Sequence, residues 1–163
     1  MIMNKYKFLI LAIVFLIANA SSVFACTCEK TNSFDEVVER SQAVFSGKVI
    51  KIQFQKAFDY ELKKQSSGEK IDYKNLVVIF EVGRWWKGGT TTKVSLVTDI
   101  MKSADGIIAI SNCEYKYVSG KEYLVFAGGD KNQLVSGACT PTKLLNKANK
   151  ELELLGEGRE PAQ

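Results

Sequence analysis

Apolar residues enter this chain first as a solid block and later as an alternation. Phe8 to Ala18 is an unbroken apolar run of about 11 residues, preceded by Lys5 and Lys7 and followed by small residues ending in Val23-Phe24-Ala25. A helix needs about 20 residues to cross a bilayer. A positive start, a short apolar run and a small-residue exit therefore predict a secretory signal over residues 1–25 rather than a membrane anchor.

Beyond that segment the periodicity changes. Ser33-Phe34-Asp35-Glu36 has the form of a capping box, and Phe34, Val37 and Val38 then share one face of a short helix ending near Ser41. Ala43 to Phe54 predicts a strand whose second half alternates apolar and polar residues. Residues 55–75 are polar and charged around Ser66-Ser67-Gly68, which suits an extended hairpin or a mobile loop. Leu76–Val82, Lys93–Thr98 and Glu122–Ala127 read as further strands. Ile107–Ile110 and Tyr115–Val118 look partly extended, and Gly128-Gly129-Asp130 turns the chain into Gln133–Val135. Thr142 is placed to cap a C-terminal helix carrying Leu144, Leu145, Ala148, Leu152 and Leu155, after which residues 157–163 form a polar tail expected to fray. About five strands with a helix at each end predict a mainly β fold, a small five-stranded barrel over residues 26–156.

Composition narrows the chemistry. The 163 residues include four Cys and no His, with Lys+Arg 22 against Asp+Glu 18. Without His there is no Ser-His-Asp or Cys-His pair and no imidazole metal ligand. Removing residues 1–25 takes away two lysines and no cysteine, leaving a side-chain charge of about +2, too small for a phosphate-tracking nucleic-acid binder. An even number of Cys in an exported chain favours disulfides over thiols, and the single residue between Cys26 and Cys28 is poor zinc-knuckle spacing. Asp35, Glu36 and Glu39 fit the preference of helix N-termini for acids, and Lys63, Lys64 and Lys70 read as a solvated face. Trp85-Trp86 reads as one core anchor and one partly exposed ring, with ligand stacking as the alternative. No enzyme site, cofactor site or metal site of its own is legible.

Several motifs in order carry a family likeness: Cys26-Thr27-Cys28 at the expected mature start, Ser41-Gln42-Ala43-Val44-Phe45-Ser46-Gly47-Lys48-Val49, Phe80-Glu81-Val82 with Trp86-Lys87-Gly88, Ser111-Asn112-Cys113, Gly120-Lys121-Glu122-Tyr123-Leu124-Val125, and Cys139-Thr140-Pro141-Thr142. Together they resemble the netrin-like domain of tissue inhibitors of metalloproteinases, in a short bacterial secreted form. The resemblance implies an OB-type five-stranded barrel and the disulfides Cys26–Cys113 and Cys28–Cys139. It further implies inhibition of a secreted zinc metalloendopeptidase. The α-amine and carbonyl of Cys26 would chelate the partner's zinc, with Thr27, Cys28, Ser111 and Asn112 against the protease pocket.

Two other readings stand beside this one. The chain can be a disulfide-stapled extracellular binding module without inhibitory activity. Alternatively Cys26, directly after the signal, is a lipidation site, which would tether a lipoprotein to a membrane and consume both the amine lone pair and the sulfur. The remaining expectations are a monomer outside the cytoplasm with no nucleic-acid partner.

Overall fold

The computed structural model describes residues 28, 33–56, 62–63, 70–109, 113–130, 132–135 and 137–162. Helix α1, Phe34–Arg40, begins where the sequence predicts. The Glu36 amide donates to Ser33 Oγ at 3.2 Å, and the Arg40 guanidinium pairs with Glu36 one turn back at 3.2 Å. At its other end the Ser41 amide and hydroxyl both donate to the Val37 carbonyl.

The strands are β1 (Ala43–Gln55), β2 (Leu62–Lys63), β3 (Lys70–Ile71), β4 (Tyr73–Lys87), β5 (Lys93–Ser103), β6 (Gly106–Ala109), β7 (Glu122–Gly129), β8 (Leu134–Val135) and β9 (Lys143–Leu144). A 3-10 turn over Leu145–Lys147 leads into helix α2, Asn149–Leu155. Strand β1 explains its own mixed pattern. Its first six residues pair with β7, and five of them, Val44 to Lys48, also pair with β4; with one apolar cluster on each face, Ala43 to Gly47 are all buried. Beyond Val49 the second half runs to exposed and half-buried residues, and alternation becomes visible in the sequence there.

Successive residues of β1 and β7 feed two separate apolar clusters. Ala43, Phe45 and Val49 join Phe80, Trp85, Leu96, Tyr123 and Val125 in the larger cluster. Val44, Leu124, Phe126 and Ala148 form the smaller one, against which Phe34, Val37, Val38, Trp86, Leu152 and Leu155 pack. The larger cluster is rich in ring contacts: Phe45 meets Phe80 at 5.4 Å and Trp85 at 5.0 Å, and Tyr117 meets Tyr123 at 5.1 Å. Each buried large side chain contributes about 1.5–3 kcal/mol, so this cluster dominates stability over any single surface pair. Gly47 sits where β1 and β4 close in, since a Cβ there would lie 2.8 Å from the Glu81 carbonyl oxygen.

The expected mainly β, OB-type five-stranded barrel, and with it the netrin-like description of the fold, is corrected. The chain forms a mixed α/β arrangement around one seven-stranded, mostly antiparallel sheet, ordered β1-β4-β5-β8-β7-β9. Strand β6 pairs with β5, β1 also pairs with β7, and β2–β3 is a separate ribbon. Among the described strands only β5–β8 is parallel. Strand β8 lies in the segment expected after the Gly128–Asp130 turn, whereas β9 is two residues long, too short for any periodicity to register.

Strand β4 starts at Tyr73, with Tyr73 and Asn75 buried, and β2–β3 is an antiparallel ribbon, so the described residues of 55–75 follow the extended-hairpin alternative. Two local expectations change. Thr142 caps no helix. Its hydroxyl accepts from the Phe126 amide at 2.9 Å, fixing the segment before β9 to β7. The polar tail is docked: Trp85 and Arg159 exchange backbone hydrogen bonds at 2.8 and 2.7 Å, and the Ala162 amide donates to the Thr90 carbonyl. It uses the edge of β4 left open where pairing to β5 ends at Glu81–Lys93. Among the described residues no helix is long and apolar enough to cross a membrane.

Candidate functional site

The two tryptophans at the end of β4 lie on opposite faces of the strand, as adjacent strand residues must. Trp85 is 2% exposed and locked. Its indole N–H donates to the Thr91 carbonyl at 2.8 Å, and a Cβ on Gly89 would lie 2.6 Å from its ring. Trp86 turns towards the helices and is only half buried. Its indole N–H donates to the Gly156 carbonyl at 2.9 Å, which fixes the ring against the end of α2. Gly156 terminates α2 with φ of 66°, a left-handed conformation that favours glycine.

Helix α1 makes the facing wall. Phe34 packs edge-on against Phe126 at 5.8 Å. The Lys87 ammonium, one residue past Trp86, donates to the carbonyls of Val38 and Glu39 at 3.0 and 2.6 Å. A cation at the last turn of a helix satisfies open carbonyls and complements their dipole. This contact fixes the width between α1 and β4.

The result is an open groove of about 360 Å³, walled by Phe34, Val38, Trp86, Leu154 and Leu155, with Asp35, Glu157 and Arg159 also lining it. Leu154 is 58% exposed, the most exposed large apolar side chain among the described residues. The volume is within the usual range for small-ligand pockets, about 300–1,000 Å³. Apolar walls with a few charged groups suit capture of an apolar group. Neither Asp35, Glu157 nor Arg159 forms an ion pair among the described residues.

The site anticipated from the sequence lies elsewhere. Cys26, Thr27, Ser111 and Asn112 fall outside the described residues. Cys28 is bonded to Cys139, with Cα atoms 5.2 Å apart. Cys113 is also disulfide-bonded, and its carbonyl accepts from the Ala138 amide at 2.7 Å, bringing the two cysteine regions together. This overturns the protease-inhibitor expectation. The Cys28–Cys139 bridge is the pairing the resemblance implies, and it ties the segment assigned to chelation back onto the chain beside the Thr140–Thr142 hydrogen bond, in place of a free terminus. The covalent link serves as a staple, and the zinc-chelating role assigned through Cys26 is withdrawn.

The sequence implies one buried and one partly exposed ring in the Trp85–Trp86 pair; the structure makes Trp86 the exposed one and adds neighbours that the sequence does not single out. One signal was available. Leu154 falls off the apolar stripe formed by Leu145, Ala148, Leu152 and Leu155, and an apolar residue outside the buried face of a helix is a surface feature needing a reason. Glu157 to Arg159 gave no such signal, because docking of the tail depends on the open edge of β4. No protein-family model matches the chain, and no curated protein matches it.

Proposed function

We propose that this protein is an exported, disulfide-stapled binding module that takes an apolar ligand group in the groove beside Trp86. The groove carries the proposal, because half-buried Trp86 and exposed Leu154 present apolar surface to solvent at one concave place. Such surface is costly to leave bare and is characteristic of recognition sites.

Export is supported by the signal-like residues 1–25 and by oxidised Cys28, Cys113 and Cys139. With Cys28 and Cys139 bonded to each other, Cys26 is the remaining cysteine for Cys113 within one chain. That pairing leaves no sulfur for a lipid and favours a free module over a lipoprotein. Intact mass of the exported protein separates the two: four oxidised cysteines without acyl mass fit the module.

Ligand-observed NMR with a library of aliphatic and aromatic fragments tests the groove. Hits should bind the wild type and be lost in Trp86→Ala and Leu154→Glu, both of which leave the larger core cluster untouched. A fragment set that fails to bind, or binds both variants as well as the wild type, would rule the groove out.

A further inference from the structure

The chain beyond Gly156 is held to the end of β4 by its backbone. Trp85 and Arg159 exchange hydrogen bonds, and the Ala162 amide donates to the Thr90 carbonyl. No residue from Gly156 to Ala162 is buried, so no buried apolar side chain backs these bonds. Each bond is worth little net and is opposed by the entropy of ordering the chain. A segment held in this way opens locally, without unfolding of the sheet.

The same segment builds part of the groove. Glu157, Gly158 and Arg159 line it together with Phe34, Val38 and Trp86. At the root of the tail the Gly156 carbonyl accepts the Trp86 indole N–H, while the neighbouring Trp85 backbone bonds Arg159. Adjacent residues of β4 therefore tie the tail at two points. Gly158 lies close against the strand between them: a Cβ there would stand 2.8 Å from the Trp85 carbonyl oxygen and 2.6 Å from Arg84 Cγ. Lifting the tail takes this wall away and frees the anchor of the Trp86 ring to move.

We propose that residues 157–162 are a strap that gates the Trp86 groove: the docked strap completes the site, and the lifted strap abolishes it. The inference rests on the groove being a binding site and adds how that site is controlled. Docking and ligand capture are then reciprocal. An apolar ligand holds the strap down, and a peptidase that trims the tail past Arg159 empties the groove. Arg159, Glu160 and Ala162 are exposed, as such trimming requires.

Amide hydrogen exchange of the exported protein, with a fragment that binds the groove, tests the coupling. Because only the docked form binds, exchange at Arg159 and Ala162 should slow by one plus the ratio of ligand concentration to Kd. That is about a hundredfold at about 100 times Kd. The Asp105 amide, which donates to Ser103 Oγ at the far end of β5, should keep its rate. Unchanged exchange at Arg159 in the saturated protein would overturn the strap. Gly158→Val supplies the converse, because its side chain drives the backbone off Trp85. Protection at Arg159 should be lost, and affinity should fall by about tenfold or more as the docked fraction drops. Weakened binding with that protection retained would mean that the new side chain only obstructs the groove, and the gate would fail. A wild type that binds no fragment defeats the groove reading but still reports on the strap. The Trp86 indole proton should then exchange faster in Gly158→Val than in the wild type, and equal rates would refute any coupling between tail and ring.

Discussion

At the scale of single residues, position in the sheet decides what each polar group does. Thr142 has the sequence context of a helix cap yet acts as a pin, accepting the buried Phe126 amide at 2.9 Å while the Thr140 hydroxyl donates to it. Thr142→Val keeps the shape and removes the acceptor, leaving a buried amide unsatisfied. The expected loss is about 1–3 kcal/mol in urea unfolding, with Thr142→Ser retaining most of the stability. Equal midpoints for Val and wild type would show that the hydroxyl contributes nothing. Gly158 is constrained by contact: a Cβ there would meet Arg84 Cγ at 2.6 Å and the Trp85 carbonyl oxygen at 2.8 Å. Tyr115 shows the effect of burial on ionisation. Desolvation, then the neighbouring Tyr123, pushes its phenol above the ordinary value. The folded protein favours the neutral form, so this contribution is fully present below the unfolded pKa and lost as pH rises through the raised folded one. Tyr115→Phe should flatten the alkaline arm of a urea-midpoint profile, and an unchanged arm would sink that assignment.

At the scale of elements, short segments are held by what they dock onto. The tail from Gly158 to Ala162 has no apolar period of its own, yet it docks through three backbone hydrogen bonds at 2.6–2.8 Å, two to Trp85 on the open edge of β4 and one to Thr90 in the loop after it. At a net 0.5–1.5 kcal/mol each, deletion of residues 158–163 should cost about 2–4 kcal/mol. Tryptophan emission should shift to the red as the Trp85 edge meets water. A deletion variant with the wild-type midpoint and spectrum would mean that the docked tail does not stabilise the sheet. Strand β9 and helix α2 are joined in turn by Lys143 and Glu151, whose ammonium and carboxylate lie 2.8 Å apart. The hydrogen bond from Lys143, partly opposed by burial, holds the Glu151 carboxyl below the ordinary carboxylate value. A depressed folded pKa gives stability that is present above the unfolded value and lost as pH falls through the folded one. Stability should therefore decline over the acidic side of the carboxylate range, and Glu151→Gln should lessen that slope.

At the scale of the whole molecule, the legible parts were those in which one face or one cap dictates the pattern. Ser33 and Glu36 marked α1, the half-covered part of β1 alternated, and Lys93–Thr98 and Glu122–Ala127 lay within β5 and β7. The unread parts depend on partners distant in the chain: β9 exists through its register with β7, the polar start of β4 through Gln55 and Met101, and the groove through two helices meeting at Trp86. Cysteine count indicated oxidation, whereas the architecture around the cysteines determined what that oxidation does. The Cys28–Cys139 bridge spans a sequence separation of 111. It joins the segment ahead of α1 to the segment ahead of β9, two regions whose other contacts form only when the sheet is assembled. A cross-link over such a span acts mainly on the unfolded chain, and the loop-entropy estimate is about 4–5 kcal/mol before strain. Another disulfide through Cys113 already restricts the chain, so the loss in Cys28→Ser/Cys139→Ser should be smaller, about 2–4 kcal/mol. Because the effect resides in the unfolded ensemble, the variant should fold more slowly while its unfolding rate stays close to that of the wild type. Stopped-flow chevrons resolve the two limbs. If the whole loss instead appeared as faster unfolding, the bridge would be acting as a native-state clamp on the Cys139 turn, and the entropic account of the staple would fail.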